Sequence, residues 1–144
     1  MKIFAVNKKA EFDYEILERF EAGIALTGHE AKSIKMGHIN LSGSHVIVKG
    51  KNASVIGMSV PSFQPINRPE KYDSERVRKL LLNEKELGYL AGKLREGLTL
   101  LPIKLYNKKS FMKLELGLGR GKKKWDKREA LKKRETEREI RREI

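Results

Sequence analysis

The sequence predicts a small, mainly β fold in which helices pack on an antiparallel barrel. The chain has 144 residues, the length of one domain with an appendage. Short apolar stretches with strand-like patterns are separated by turn residues, and two segments have the caps and spacing of helices. Because strands and helices do not alternate regularly, an antiparallel barrel fits better than a parallel sheet, and the oligonucleotide-binding type is one candidate.

The first half contains a long strand followed by a short helix. Residues 14–26 are rich in Ile, Leu and Phe, and we expect Gly23 to mark a bulge in this strand. Thr27 and Glu30 have the spacing of a capping box, and Gly37 is placed to end the helix. The pattern predicts a helix of about two to three turns.

The second half begins with a hairpin and a longer helix. Residues 46–48 and 55–56 are β-branched and flank the turn-like sequence "KGKN". Asn83 has a glutamate, Glu86, at the capping-box position, and leucines follow at helical spacing until Gly97.

Two further strands precede a charged segment. Residues 112–118 alternate apolar side chains with polar ones or glycine, which predicts a half-buried strand paired with residues 103–106. We expect "GLGRG" at 117–121 to be a flexible hinge. The expected organisation is therefore a barrel over residues 1–120 and a basic tail over residues 121–144.

Composition indicates a polyanionic partner. The net charge is +13 and the isoelectric point is about 10.0, which is typical of nucleic-acid-binding domains. There is no cysteine, so disulfides and thiolate metal sites are excluded. The sequence has neither an apolar span nor a signal segment, and we expect a soluble, cytoplasmic protein without a membrane partner.

Nothing in the sequence indicates catalysis. His29, His38 and His45 do not have the spacing of a zinc site, and no nucleophile-elbow, Walker or paired-aspartate motif occurs. We therefore expect a binding protein that is not an enzyme and needs no cofactor.

The tail is helix-prone but has no apolar stripe to pack on a core. Residues 119–144 carry 12 Lys and Arg against 6 Asp and Glu. Asp126 can cap a helix, Glu129 is at the capping-box position, and Trp125 precedes the cap. One interpretation is a solvated tail. The other is a segment that becomes helical along RNA, with lysines on phosphates and Trp125 stacked on a base.

Five collinear motifs identify a family. "NKKAEFDYEI", "FEAGIALTGHEAKSIKMG", "RKLLLNEKEL", "GLTLLPIKLY" and "RGKKKWDKREALKKRE" occur in this order and span nearly the whole chain. Together they closely resemble the SsrA-binding protein (SmpB) family, the partners of transfer-messenger RNA in bacterial ribosome rescue.

The resemblance implies an oligonucleotide-binding-type barrel, no catalytic activity and two RNA surfaces. The barrel would bind the tRNA-like part of transfer-messenger RNA. The tail, disordered when free, would become helical in the empty messenger channel of a stalled ribosome. Elongation factor Tu and alanyl-tRNA synthetase enter as users of the same RNA, and the protein is expected to be a monomer.

The resemblance also assigns residues to the surface for transfer-messenger RNA. Glu21, Leu81 and Asn83 match family positions implicated in binding that RNA. Each has a second interpretation: Glu21 as an ordinary strand-face acid, Leu81 as core, and Asn83 as a helix cap. Around them we expect phosphate contacts from Asn7, Lys8, Lys9, Lys32, Lys35 and Lys79.

In the tail, the resemblance implies contacts near the ribosomal decoding site and messenger channel. The residues concerned are Arg120, Gly121, Lys122, Lys123, Lys124, Trp125, Asp126, Lys127 and Arg128. The alternative is a structural ribosomal protein or a general RNA chaperone of barrel fold. Such a protein would not prefer one folded RNA over bulk RNA at moderate salt.

Overall fold

Seven strands and three helices make up the part of the protein that a computed structural model describes, residues 1–64 and 72–122. Every pairing between these strands is antiparallel. The order along the chain is β1 (Lys2–Val6), α1 (Lys8–Asp13), β2 (Tyr14–Ile24), α2 (Gly28–Lys35), β3 (His45–Lys49), β4 (Asn52–Ile56), β5 (Arg78–Leu81), α3 (Glu84–Arg95), β6 (Thr99–Lys108) and β7 (Phe111–Gly121).

β6 is the strand on which the barrel closes. Along one edge it pairs with β7 over its whole length. Along the other edge it pairs with β1 and, at Leu100 opposite Val46, with β3. The pairs β3–β4, β4–β5, β5–β2 and β2–β7 complete a ring of six strands in the described part of the chain. The predicted small antiparallel barrel with packed helices is confirmed.

The side chains of β7 alternate between the barrel interior and its outer surface. Leu114, Leu116 and Leu118 have no accessible surface, and they pack with the buried leucines of α3 in the main core. Lys113 and Glu115 point the other way, because successive side chains of a strand alternate between its faces. The predicted period-2 pattern therefore decides what the outer surface of the barrel carries.

The two predicted helix starts are confirmed. The Thr27 hydroxyl accepts from the N–H of Glu30 (3.1 Å), and the Glu30 carboxylate accepts from the N–H of Thr27 (2.9 Å). The Asn83 side chain accepts from the N–H of Glu86 at 2.8 Å. Beyond α3, Gly97 has a φ of 96°, a left-handed conformation that ends a helix and favours glycine.

α1 has no counterpart in the sequence prediction. It is 6 residues long and packs on the outside of the barrel. There Ala10 joins Leu101 and Ile103 in a second, smaller apolar cluster with Tyr14 and Ile16 at its border. A helix this short presents too few turns for an apolar periodicity to be recognisable.

The prediction of a hinge at 117–121 is wrong. All five residues belong to β7 and pair with β2, and residues 117–119 also pair with β6. Gly117 is needed for close packing instead: a Cβ at this position would lie 2.8 Å from Cδ1 of Ile103 and 3.1 Å from Cγ2 of Ile16. The strand continues to Gly121, one residue beyond the expected boundary of the barrel.

Glu30 ties α2 to β5 and to the segment before it. Glu30 is 1% exposed and Arg78 is 0% exposed. One carboxylate oxygen accepts from Nε of Arg78 at 2.7 Å, and the other accepts from Nη2 of Arg76 at 2.6 Å. Nη2 of Arg78 lies 2.6 Å from the same carboxylate oxygen as Nε, and Nη1 and Nη2 also donate to backbone carbonyls. Burial raises the pKa of Glu30, but hydrogen bonds from Arg76, the Thr27 backbone and Arg78 outweigh it, and the pKa lies below its ordinary value of 4.5.

Replacing Gly117 by alanine should destabilise the barrel by about 1–3 kcal/mol, since the new methyl group would overpack a buried site. Gly88→Ala is the matched control, because Gly88 lies within α3, where an added Cβ would meet nothing within 4 Å beyond the helix's own backbone. That change should stabilise by about 0.5–1 kcal/mol. Thermal unfolding measures both. Equal effects of the two changes would contradict close packing at Gly117.

Glu30→Gln should destabilise the protein by about 3–5 kcal/mol at neutral pH, because it leaves the buried charge of Arg78 unpaired. The control is Glu84→Gln, which breaks a 3.6 Å pair with Lys51 between two exposed side chains, and we expect an effect below about 1 kcal/mol. Denaturant unfolding measures both changes.

The effect of Glu30 should depend on pH. Its folded-state pKa is depressed, so its stabilisation is present above the ordinary value of 4.5 and is lost as pH falls through the lower folded-state value. The difference between wild type and Glu30→Gln should therefore shrink between about pH 7 and about pH 3. A constant difference over that range would contradict the assignment.

Candidate nucleic-acid interface

The outer surface of four adjoining strands, β5, β2, β7 and β6, forms a charged face. Strand register places Glu21 opposite Glu115, which lies opposite Lys104. Two residues along, Gly23 lies between Leu81 and Lys113. We call this surface the basic face, and it consists of Arg19, Glu21, Lys79, Leu81, Lys104, Tyr106, Lys108, Lys113 and Glu115. Its five cations outnumber its two carboxylates.

Both carboxylates of the basic face are held by neighbouring groups. Glu115 pairs with Arg19 at 2.6 Å and with Lys104 at 3.5 Å. Glu21 accepts a short hydrogen bond from the Tyr106 hydroxyl, and Nζ of Lys108 lies 3.6 Å from its other oxygen. The hydrogen bond from Tyr106 lowers the pKa of Glu21, against a smaller opposing effect of desolvation and with help from Lys108. Glu21 is therefore an ionised hydrogen-bond acceptor at neutral pH.

Leu81 lies on the surface of the protein. It is 58% exposed, so its interpretation as a core residue is wrong. The prediction of a bulge at Gly23 is also wrong, since the irregularity of β2 lies between Ile16 and Glu18. Gly23 instead makes room for Leu81, whose Cβ would lie 3.2 Å from a Cβ at that position. The result is an exposed apolar side chain lying across β2, beside Glu21.

A cleft of about 430 Å³ lies between α2 and the turn that joins β6 to β7. Its walls include apolar side chains of β2 and α2, and Phe111 stands at its side with 68% of its surface exposed. Lys35 and Lys109 line the same cleft. An exposed aromatic ring next to cations is an arrangement that suits an unstacked nucleobase and its phosphates.

The two predicted asparagines have structural partners. Asn83 caps α3, which confirms that interpretation, and its position two residues after Leu81 keeps it beside the basic face. Asn7 is only 3% exposed: its Oδ1 accepts from the N–H of Ala10 (3.2 Å) and its Nδ2 donates to the carbonyl of Pro102 (2.9 Å). Asn7 is therefore a structural cap of α1, and this corrects its prediction as a phosphate contact.

The predicted lysines do not form one group. Lys79 belongs to the basic face, and Lys35 lines the neighbouring cleft. Lys32 is exposed on α2, with its ammonium 4.9 Å from the centre of the Phe63 ring. Lys8 and Lys9 are exposed on α1, which leads into the first residue of β2.

α1 and Glu21 are at different ends of β2. Seven residues separate Tyr14 from Glu21, roughly 23 Å at about 3.3 Å per residue. Lys122 lies at the α1 end: its N–H donates to the carbonyl of Asp13 (2.9 Å) and its Nζ donates to the carbonyl of Glu11 (3.1 Å). The α1 end therefore carries a second group of lysines, which stands among acidic residues such as Glu11, the 3.6 Å partner of Arg19 on the basic face. The tail begins beside this group.

Arg120 and Gly121 are the last residues of β7, and Arg120 is paired with Glu15 at 3.0 Å. The other predicted tail residues lie outside the described residues: Lys123, Lys124, Trp125, Asp126, Lys127 and Arg128.

Sequence reasoning missed the contributions of β6 and β7 to the basic face. Lys104 lies between the buried Ile103 and Leu105, and Lys113 precedes the buried Leu114, so the period-2 pattern also contained the orientation of these two lysines. The contact between Tyr106 and Glu21, 85 residues apart, had no signal in the sequence.

Among residues 1–64 and 72–122, no cluster of His, Asp or Glu has the arrangement of a metal site. Nor does any helix in these segments have the length and apolarity needed to cross a membrane.

Comparison with known proteins agrees with the motifs. A family model described as SmpB protein matches residues 4–144. The SsrA-binding protein of Nitratiruptor sp. is 50% identical over 144 residues, covering 98% of this chain and 95% of its own. That of Carboxydothermus hydrogenoformans is 47% identical over 140 residues, covering 96% of this chain and 93% of its own.

A solved structure has the same fold. One chain of a structure described as "tmRNA-SmpB: a journey to the center of the bacterial ribosome" matches with a TM-score of 0.70 and 37% identity. The match covers 91% of this chain and 95% of the solved chain. The chain belongs to the SmpB family of SsrA-binding proteins.

Proposed function

We propose that this protein is an RNA-binding adaptor for ribosome rescue. It binds the tRNA-like part of transfer-messenger RNA on the basic face and delivers that RNA to stalled ribosomes. The observation that carries the proposal is the basic face, where cations from four strands surround an exposed leucine and an ionised acceptor. The names of the relatives and the description of the matched structure, which couples tmRNA, SmpB and the ribosome, support it.

The chemistry of the basic face fits folded RNA better than a uniform polyanion. Lys79 and Lys113 supply positive charge for phosphates, which fixes position without reading sequence. Leu81 offers an apolar contact for a base or ribose. Glu21 repels phosphate but accepts hydrogen bonds from ribose hydroxyls and base N–H groups, and these are the groups that distinguish one folded RNA from another.

The α1 end forms the second RNA surface. Lys8 and Lys9 stand beside Lys122, where the tail begins. The sequence predicts that these two lysines contact transfer-messenger RNA, but from this position we assign them to ribosomal RNA together with the tail. The residues after Lys122 then enter the empty messenger channel near the decoding site and become helical there. Phosphate contacts and stacking replace the codon pairing that a stalled ribosome lacks.

Other partners act through the same RNA. Elongation factor Tu and alanyl-tRNA synthetase bind the tRNA-like part of transfer-messenger RNA, and the protein acts as a monomer beside them. It performs no catalytic step of its own.

Two double substitutions separate the surfaces. Lys79→Ala/Lys113→Ala and Lys8→Ala/Lys9→Ala remove the same charge, so nonspecific attraction falls equally. The first should weaken binding of transfer-messenger RNA about tenfold and lower the salt-dependence slope by about two, one per phosphate contact. The second should leave that affinity within about twofold while reducing peptide tagging on stalled ribosomes.

Filter binding over a salt series and a reconstituted tagging reaction measure these effects. A wild-type protein that does not prefer transfer-messenger RNA over a duplex at about 150 mM salt would indicate a general RNA chaperone instead. Equal loss of affinity in the two variants would contradict the division into two surfaces.

In the tail, Asp126→Ala/Lys127→Ala/Arg128→Ala should leave binding of transfer-messenger RNA nearly intact and abolish tagging. The substitutions remove a helix cap, worth about 0.5–2 kcal/mol, and two cationic contacts. Glu135→Lys/Glu137→Lys, added as a control, restores positive charge to the tail elsewhere. Full recovery of tagging by those lysines would show that charge alone suffices and that position does not matter.

A further inference from the structure

Glu21 is a negative group on a face that otherwise attracts phosphate. Lys108 and Lys113 are close enough to lower its pKa, and Glu115 stands opposite it across the strand pair. A carboxylate in this place weakens nonspecific attraction to a polyanion. Its presence is useful only if the carboxylate is presented to the RNA in a defined orientation.

Tyr106 controls that orientation. It belongs to β6 and reaches over β7 to Glu21 on β2, where its hydroxyl donates to Oε2. The residue is 5% exposed, and the ammonium of Lys104 lies 5.8 Å from the centre of its ring. Because the ring is buried, the hydroxyl has a fixed position, whereas a glutamate on an open strand would sample several rotamers.

The second oxygen of Glu21 faces a cation instead of a short hydrogen bond. Nζ of Lys108 lies 3.6 Å from Oε1, which is longer than the usual N–H···O range of about 2.7–3.2 Å. A donor from a ligand can therefore approach Oε1 while Tyr106 keeps Oε2.

The position of the proton in the hydrogen bond between Tyr106 and Glu21 agrees with this arrangement. Desolvation by burial raises the pKa of Tyr106 well above its ordinary value, and the hydrogen bond to Glu21 raises it further. The same bond lowers the pKa of Glu21. The proton thus stays on the tyrosine, and Glu21 remains an acceptor.

We propose that Tyr106 is a positioning residue for RNA selection: it fixes Glu21 so that Oε1 accepts a hydrogen bond from an RNA donor. The donor is a ribose 2′-hydroxyl or the exocyclic 2-amino group of a guanine. The inference rests on the proposed function, since it assigns to Tyr106 the selectivity of the basic face for one folded RNA.

The protein contains a matched control for the loss of such a hydroxyl. Tyr89 of α3 also donates to a glutamate on β2, Glu18, at 2.6 and 2.8 Å. Tyr89→Phe removes the same kind of bond as Tyr106→Phe, but from a pair outside the basic face. The comparison separates a role in recognition from the general effect of losing a tyrosine–carboxylate bond.

Binding of the full-length variants to transfer-messenger RNA tests the proposal. Tyr106→Phe should weaken binding about five- to tenfold, while Tyr89→Phe stays within about twofold. Affinity for an RNA duplex without the tRNA-like fold should not fall in either variant. Equal effects of the two variants on transfer-messenger RNA, or a loss for the duplex equal to that for transfer-messenger RNA, would overturn the inference.

A double-mutant cycle shows whether Tyr106 acts through Glu21. In a Glu21→Gln background, Tyr106→Phe should have less than about a twofold further effect, because the oriented carboxylate is already gone. Thermal unfolding of each variant is measured in parallel. If the losses of affinity caused by the two substitutions are additive, or if they follow the losses of thermal stability, Tyr106 has only a structural role.

The two donors are distinguished with modified RNA. Probes with 2′-deoxyribose in the bound strand should abolish the difference between wild type and Tyr106→Phe if the donor is a ribose hydroxyl. Probes with inosine in place of guanosine, which lack the 2-amino group, should reduce that difference if the donor is guanine. A difference unchanged by both substitutions would overturn acceptance of an RNA donor by Glu21.

Failure of the inference is distinguishable from failure of the proposed function. If the wild-type protein shows no preference for transfer-messenger RNA, both are wrong. If the preference is present and Tyr106→Phe matches its control, the adaptor function stands and only the role of Tyr106 is lost.

Discussion

The pairing of β6 with β7 is the interaction on which the rest of the structure depends. In the sheet order, β6 and β7 stand at the two ends of the series β6-β3-β4-β5-β2-β7. Their pairing closes the ring and so encloses an interior for the leucines of β7. Because each strand has two faces, the same pairing orders Lys104, Tyr106 and Lys113 on the outside. The core and the basic face are thus two consequences of one register. A slip by one residue would exchange apolar and charged side chains across the barrel wall.

The ion pairs of the basic face contribute little to the stability of the fold. Arg19 and Lys108 are largely exposed, and pairs of this kind stabilise proteins by about 0–1 kcal/mol. Their effect is to occupy Glu115 and Glu21 in the free protein and to keep cations within reach of phosphates. Glu30 is different, because its partner Arg78 is fully buried and its removal leaves an uncompensated charge. Charged groups therefore stabilise the fold at α2, whereas at β2 they form the surface that we propose for RNA.

Local signals predicted much of the fold, and distant contacts explain what sequence reasoning missed. The caps at Thr27 and Asn83 depend on contacts within four residues, so the sequence alone contains them. A glycine-rich string looks the same whether it is a hinge or a close-packed strand, and only the side chains packed around Gly117 decide between the two. The candidate site shows the same difference between what local sequence contains and what distant contacts determine. Glu21 came from a resemblance, but its orientation follows from Tyr106, which strand register brings to it.

The absence of a hinge at 117–121 changes how the two RNA surfaces that we propose are related. β7 runs without interruption from Lys113 on the basic face to Gly121, and hydrogen bonds to β2 and β6 hold it along this course. Lys122 is then fixed to the carbonyls of Asp13 and Glu11. The point at which the tail starts is therefore held at a set distance from the basic face, roughly eight residues of strand or about 26 Å. The adaptor that we propose must place one RNA relative to another, and it gains from this rigidity because RNA bound on the basic face would fix where the tail begins.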